Sequence, residues 1–152
     1  MIAISRVPEV IEALTALGTA DPELSGVAVA DGPEVSDTQA QDWLIFGFDG
    51  DPSGDFQAAQ SVSTAAGLGT RREEEFEITA AAIANRGDTD VVAARDRVLG
   101  IGARVAQWLQ TDPALGLTEL QAGTGAMRLI QNQTEDGAQV VLLMTVSGRG
   151  FI

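Results

Sequence analysis

The chain contains no His, Cys, Tyr or Lys. Without His there is no side chain whose ordinary pKa lies near neutrality, and without Cys there is no thiolate nucleophile or disulfide and no soft metal ligand. Without Lys neither a P-loop phosphate contact nor a Schiff base can form. Carboxylates, hydroxyls and Arg remain, which would suit a paired-carboxylate hydrolase; such sites want aromatic walls or a deep pocket, and aromatics make up only 5% of the residues. Neither an enzymatic role nor a cofactor is expected. Long apolar runs are missing as well: none reaches the roughly 18 residues a membrane helix needs. The opening residues are too short and broken for a signal-peptide core, so the expectation is a soluble product, made in the cytoplasm, without a membrane partner.

What is present suits one globular domain over residues 1–152: 45% hydrophobic and 20% charged residues, with 17 Gly. The charge is one-sided, because 22 acids against nine bases, all Arg, give −13. Eleven of the acids lie between Arg6 and Arg71, where there is no base. Such a balance disfavours phosphate binding and hence nucleic acid. The acidic sector would either face a basic partner or a channel that must not hold DNA, or serve only solvation.

Apolar spacing predicts a first helix over Ser5–Gly18, with Val7, Val10, Ile11, Leu14 and Leu17 on one stripe, Ser5 as N-cap and Gly18 as the stop. A short strand Gly26–Ala30 and a central strand Trp43–Phe48, covered on both faces, follow. Ala59–Ala65 reads as another strand. From Arg71 to Ala84 the pattern alternates, with Glu73, Glu75, Glu77 and Thr79 on one side and Phe76, Ile78, Ala80 and Ala82 on the other. Asp88-Thr89-Asp90 opens a long helix whose buried face is Val91, Ala94, Val98, Gly102, Val105 and Leu109. Gly102 on that face suggests a close approach to the sheet; Gly100, on the opposite face, has no explanation in packing within one subunit. Strand pieces Glu119–Ala122 and Met127–Gln133, interrupted by Gly123-Thr124-Gly125, precede an Asp136-Gly137 turn and a last strand Gln139–Ser147 that is apolar on both sides. The expected fold is α+β, a mixed or antiparallel sheet flanked by two helices, with Leu143 among the last-strand residues left for a neighbouring subunit to cover.

The nearest thing to a metal motif is the run Asp49 to Asp55: Asp49, Asp51, Ser53 and Asp55 fall at oxygen-ligand spacing, with Gly54 at the sixth position. Gln60 stands where a bidentate Glu is needed, and a strand precedes the loop, so the run reads first as an acidic hairpin-like turn and only second as a cation loop. Gly67-Leu68-Gly69 and Gly123-Thr124-Gly125 complete no phosphate loop and read as bends or bulges. Arg71 and Arg72 beside Glu73, Glu74 and Glu75 form either a solvated charged strand or an ion-pair seam between subunits.

Taken in order, these features resemble the tail-terminator family of long-tailed phages, in particular the branch found in phages of actinobacteria. The likeness lies in Val7-Pro8-Glu9-Val10-Ile11-Glu12-Ala13-Leu14, in Ile45-Phe46-Gly47-Phe48-Asp49-Gly50-Asp51-Pro52, in Gly67-Leu68-Gly69-Thr70-Arg71-Arg72-Glu73-Glu74, in Gly87-Asp88-Thr89-Asp90-Val91 entering a helix through Ala94-Arg95-Asp96-Arg97, and in the final hairpin. The resemblance spans nearly the whole chain. It implies a lambda-type α/β subunit that forms a hexameric ring, caps the tail tube and joins it to the neck. The implied partners are further copies of the chain, the tail-tube protein and a head-completion or stopper protein, with DNA passing through unbound; the implied location is the virion, after assembly in the host cytoplasm. Another head-to-tail connector, or a soluble calcium- or ligand-binding module using the Asp49 to Asp55 loop, is the alternative. By the same analogy Arg71, Arg72, Glu73, Glu75, Glu77, Gly100 and Leu143 are candidate interface residues.

Overall fold

Two helices and six strands alternate along the chain in the order α1 (Val7–Ala20), β1 (Val27–Asp31), β2 (Asp42–Phe46), β3 (Ala59–Ala65), β4 (Arg72–Arg86), α2 (Val91–Thr111), β5 (Leu120–Thr134) and β6 (Gly137–Phe151), with one 3₁₀ turn at Pro22–Leu24. The computed structural model describes residues 3–33, 40–51 and 53–152. The strands form one mixed sheet in the order β1-β2-β4-β6-β5, and β3 pairs with the part of β4 that β2 does not reach. Only β1 and β2 are parallel; the other pairs are antiparallel. This is the expected α+β domain, a sheet with two helices on one face.

The alternation of β4 decides which side is core. Phe76, Ile78, Ala80, Ala82 and Ala84 face the helices, where they meet Val10, Leu14, Val98, Ile101 and Val105 together with Val140, Leu142, Met144 and Val146 of β6. Small Ala side chains on β4 and Gly102 on α2 let the helix lie close: a Cβ at Gly102 would sit 2.6 Å from Leu142 Cδ2. The close approach expected of Gly102 is therefore present. At Gly100 an added Cβ would meet nothing within 4 Å, in agreement with the absence of an internal reason for that glycine.

Several expectations need correction. Arg6 and not Ser5 holds the N-cap position, but Ser5 still serves the helix start: its Oγ accepts from the Val7 amide at 3.0 Å, while the Arg6 amide goes to a residue far along the chain. Gly18 does not stop α1, which continues to Ala20; it is buried where the helix crosses β1, and an added Cβ would lie 2.9 Å from Val29 Cγ1. Leu17 is 37% exposed, outside the buried stripe of Val10, Ile11, Leu14 and Gly18. β2 ends at Phe46 because Gly47 turns away with φ +77. β5 is one strand and not two pieces, since the glycine-rich interruption is only a bulge between Thr124 and Met127. β6 runs on to Phe151, well past Ser147.

The helix-free face of the sheet also carries a small apolar cluster: Ala30, Ile45, Phe48, Ala81 and Ile83, with Trp43, Val141 and Leu143 packed against it. Part of the cover comes from the chain itself. After Gly47 the loop folds back so that Gly50 lies against Ile83 and Phe48 stacks on Phe56 with ring centroids 5.5 Å apart. Leu143, expected to await a neighbouring subunit, is already half-buried beside this cluster.

Candidate functional site

Two carboxylates from the acidic half of the chain, Asp42 and Asp21, are tied by Arg to other elements, so the run of acids is not a one-sign surface in space. Asp42, at the start of β2, receives Arg86 from β4 at 2.7 Å and Arg97 from α2 at 3.1 Å. Glu9 is paired with Arg6. Asp21, at the end of α1, accepts from Arg104 Nε and Trp108 Nε1 of α2, both at 2.8 Å, and from the Glu23 amide. Its side chain is only 3% exposed. Burial alone would push the Asp21 carboxyl up, but the hydrogen bonds from Arg104, the Glu23 amide and Trp108, with the charge of Arg104, outweigh it and hold the carboxyl below its ordinary value. A depressed folded-state pKa means that the stabilisation is complete above the ordinary carboxylate range and drains away as pH falls through the depressed value. Acid titration followed by Trp fluorescence is therefore expected to show a step in wild type that Asp21→Asn lacks. An identical acid profile in the variant would remove this role.

A buried acid went unremarked in the sequence. Glu74 is fully buried on the helix side of β4, where it accepts from Ser5 Oγ at 2.5 Å and from the Arg6 amide at 2.7 Å. From 68 residues away it thus holds both the Arg6 amide and the Ser5 hydroxyl, whose oxygen accepts from the Val7 amide.

Of the candidate interface residues, Arg71, Glu73, Glu75 and Glu77 lie together at one end of the helix-free face, Arg72 lies on the helix side of β4, and each of these charges has a partner in its own chain. Arg71 stacks 4.0 Å over the Phe151 ring and pairs with Glu119 at 2.6 Å. Arg72 donates to the Ser63 carbonyl at 2.9 Å. Arg149 lies 3.6 Å from Glu73 and 3.9 Å from Glu75, and Glu77 accepts from Gln60 at 3.3 Å. Exposed pairs of this kind are worth at most about 1 kcal/mol each, so they can be exchanged for contacts to another molecule. Between them the sheet curves into a trough of about 850 Å³ with Gln60, Val62, Glu75, Glu77, Gln121 and Ser147 on its walls. Gly100 and Leu143 are not part of it; Gly100 lies on the outer side of α2 and Leu143 farther along β6.

The Asp49 to Asp55 loop uses its carboxylates on itself. Asp49 accepts from the Asp51 amide, Asp51 from the Ser53 amide and Asp55 from the Gln57 amide, at 2.8, 2.9 and 3.1 Å. These are side-chain turns, the acidic-turn reading of the run. Among the described residues no group of three or more carboxylates, His or Cys is placed to hold a metal ion. Among the same residues no helix is long and apolar enough to cross a membrane.

The opposite edge of the sheet has a different character, which the sequence reading did not single out. β5 is an edge strand, and Met127, Leu129 and Ile130 on it are 60%, 41% and 40% exposed. Its first half is closed by the Ala122 amide donating to the Pro113 carbonyl at 2.8 Å, whereas beyond the bulge the edge is open. Arg95 of α2 reaches Gln131 of β5, so the half-exposed Leu99, one helical turn later, lies on the side of α2 that faces β5. A search of family models finds none that matches the chain, and a search of curated proteins finds no match either.

Proposed function

We propose that this chain is a structural virion protein of a long-tailed phage, a tail terminator that assembles into a ring, hexameric by family likeness, caps the tail tube and joins it to the neck. It acts by contact and catalyses no reaction. The observation that carries the reading is the open half of β5, a long sheet edge flanked by Met127, Leu129 and Ile130 and left without a partner. Monomeric proteins blunt such edges with charge, proline or a cover; an apolar one is expected to pair. The ordered sequence likeness to tail terminators names the assembly, and the charge of −13 suits a passage through which DNA slides without being held. Its partners on this reading are other copies of itself, the tail-tube protein and a head-completion or stopper protein.

Cryo-electron microscopy of the particle that encodes the chain tests this. A ring of density at the head-tail junction that fits the sheet and its two helices is expected; density elsewhere in the particle would sink the reading. Gene order beside the tail-tube gene separates a terminator from another head-to-tail connector.

A further inference from the structure

We infer that the open half of β5 adds as a strand to the outer edge of β3 in a second copy of this chain, taking the place of the Arg72 guanidinium that donates to the Ser63 carbonyl there. The inference rests on the ring reading and names the two surfaces that would meet. Three observations select them.

The first is charge. Of the nine arginines, Arg128 alone has neither an ion pair nor a hydrogen bond among the described residues; the others bind Glu9, Glu119, Ser63, Asp42, Gln131, Asp21 or the Glu73 and Glu75 pair. It sits in the middle of the open half of β5, and that strand carries no acid. In a chain of −13, two copies meet most easily where one side offers no carboxylate.

The second is the face. Arg128 is opposite Leu143, which is opposite Ala81, and this places it on the helix-free side. If copies join with their helices on the same face, Arg128 needs carboxylates on the helix-free side near an outer edge. β3 satisfies this, because Glu73 and Glu75 lie one strand in from Thr64 and Val62. β1 does not: its helix-free positions are Ala28 and Ala30, and Asp31 is opposite Phe46, on the helix side. Strands stand about 4.8 Å apart, so an Arg two strands from a Glu is within their combined side-chain reach.

The third is direction and shape. β3, β4, β6 and β5 alternate in direction, so β5 of one copy arrives antiparallel to β3 of the next, the pairing with the better ladder geometry. Val62 on β3 is 68% exposed on the same face as Ile130, which gives each an apolar neighbour across the junction. The patches differ, so the contact is head-to-tail, the kind that builds a ring where the rotation between copies closes.

The absence of Cys makes the test direct. In one chain Val62 lines up through Glu75 and Arg149 with Gln121, nine residues along β5 from Ile130, so the two positions are roughly 30 Å apart, beyond the reach of a disulfide. Oxidation of the concentrated Val62→Cys, Ile130→Cys double variant is expected to give a ladder of multimers on a non-reducing gel, while each single variant gives dimers at most. A second arm reverses the charges. Arg128→Glu is expected to weaken self-association measured by sedimentation at least about tenfold, and adding Glu73→Arg, which is opposite Thr64 and so across from Arg128 when Val62 meets Ile130, to restore it. Dimers alone, from Ile130→Cys as readily as from the double variant, would mean that β5 pairs with itself and would overturn the proposal; so would the absence of any cross-link, or failure of the second charge to restore the first. Wild-type rings without the cross-link would leave the ring reading standing with a different seam. A ladder from a chain absent from the head-tail junction would keep the interface and refute the terminator.

Discussion

Glu74→Ala is expected to cost about 3 kcal/mol of stability, which for a chain of this length lowers the melting temperature by roughly 10 °C. The size follows from what the side chain does. Its two oxygens take the Ser5 hydroxyl and the Arg6 amide at the first turn of α1, and it has no exposure to water. Removal leaves those donors with nothing to bond in a part-buried place and opens a void under β6, and the two costs add. Glu74→Gln keeps the shape and one acceptor and should lose less. Glu77→Ala, three residues away on the wet face, serves as the control and should change stability by no more than about 0.5 kcal/mol. If urea unfolding gives the same loss for Glu74→Ala and Glu77→Ala, the distant acceptor is not a stabilising feature.

A larger loss is expected at Gly137, where Ala should cost more than about 3 kcal/mol. Gly137 opens β6 with φ +125, a region that L side chains rarely enter. An added Cβ would also lie 2.2 Å from the Arg86 carbonyl oxygen and 2.8 Å from Gly87 Cα. Both obstacles are backbone, so no rotamer change relieves them. The β5–β6 hairpin and the end of β4 would have to separate, which disturbs the longest strand pairing in the sheet. Gly100→Ala, on the open side of α2, makes the contrast, because a methyl there meets nothing and Ala favours a helix by about 1 kcal/mol. A Gly137→Ala protein within 1 kcal/mol of wild type by urea unfolding would show that the hairpin shifts freely.

Much of the fold was legible because it follows from short-range periodicity. The 3.6-residue rhythm of α2 and the alternation of β4 each depend on one element meeting one core, and both are present as expected. Gly18 was misread because its reason is a distant contact with Val29, and the Ser5 cap was half right: Ser5 Oγ takes the Val7 amide, while the Arg6 amide goes to distant Glu74. Glu74 was detectable in principle. It shares the parity of Phe76, so its place on the core side was implied by the same alternation that put Glu73 and Glu75 on the wet side. Asp21 offered no such signal, because its partners are 83 and 87 residues away. The acidic sector was real as a linear feature and dissolved in part in space, since Arg86, Arg97 and Arg104 come back to Asp42 and Asp21. The edge character of β5 could not be read from composition, because which strand lies outermost depends on the order of pairing.

The same ion pairs set a timetable for biosynthesis. A ribosome delivers eleven acids before Arg71, and every base that neutralises Asp21 or Asp42 comes after them. β2 has no antiparallel partner until β4 follows, and the Arg6 amide has no acceptor until Glu74 emerges. Until then β2 has only β1 beside it, and Asp21 and Asp42 add to a self-repelling run of acids.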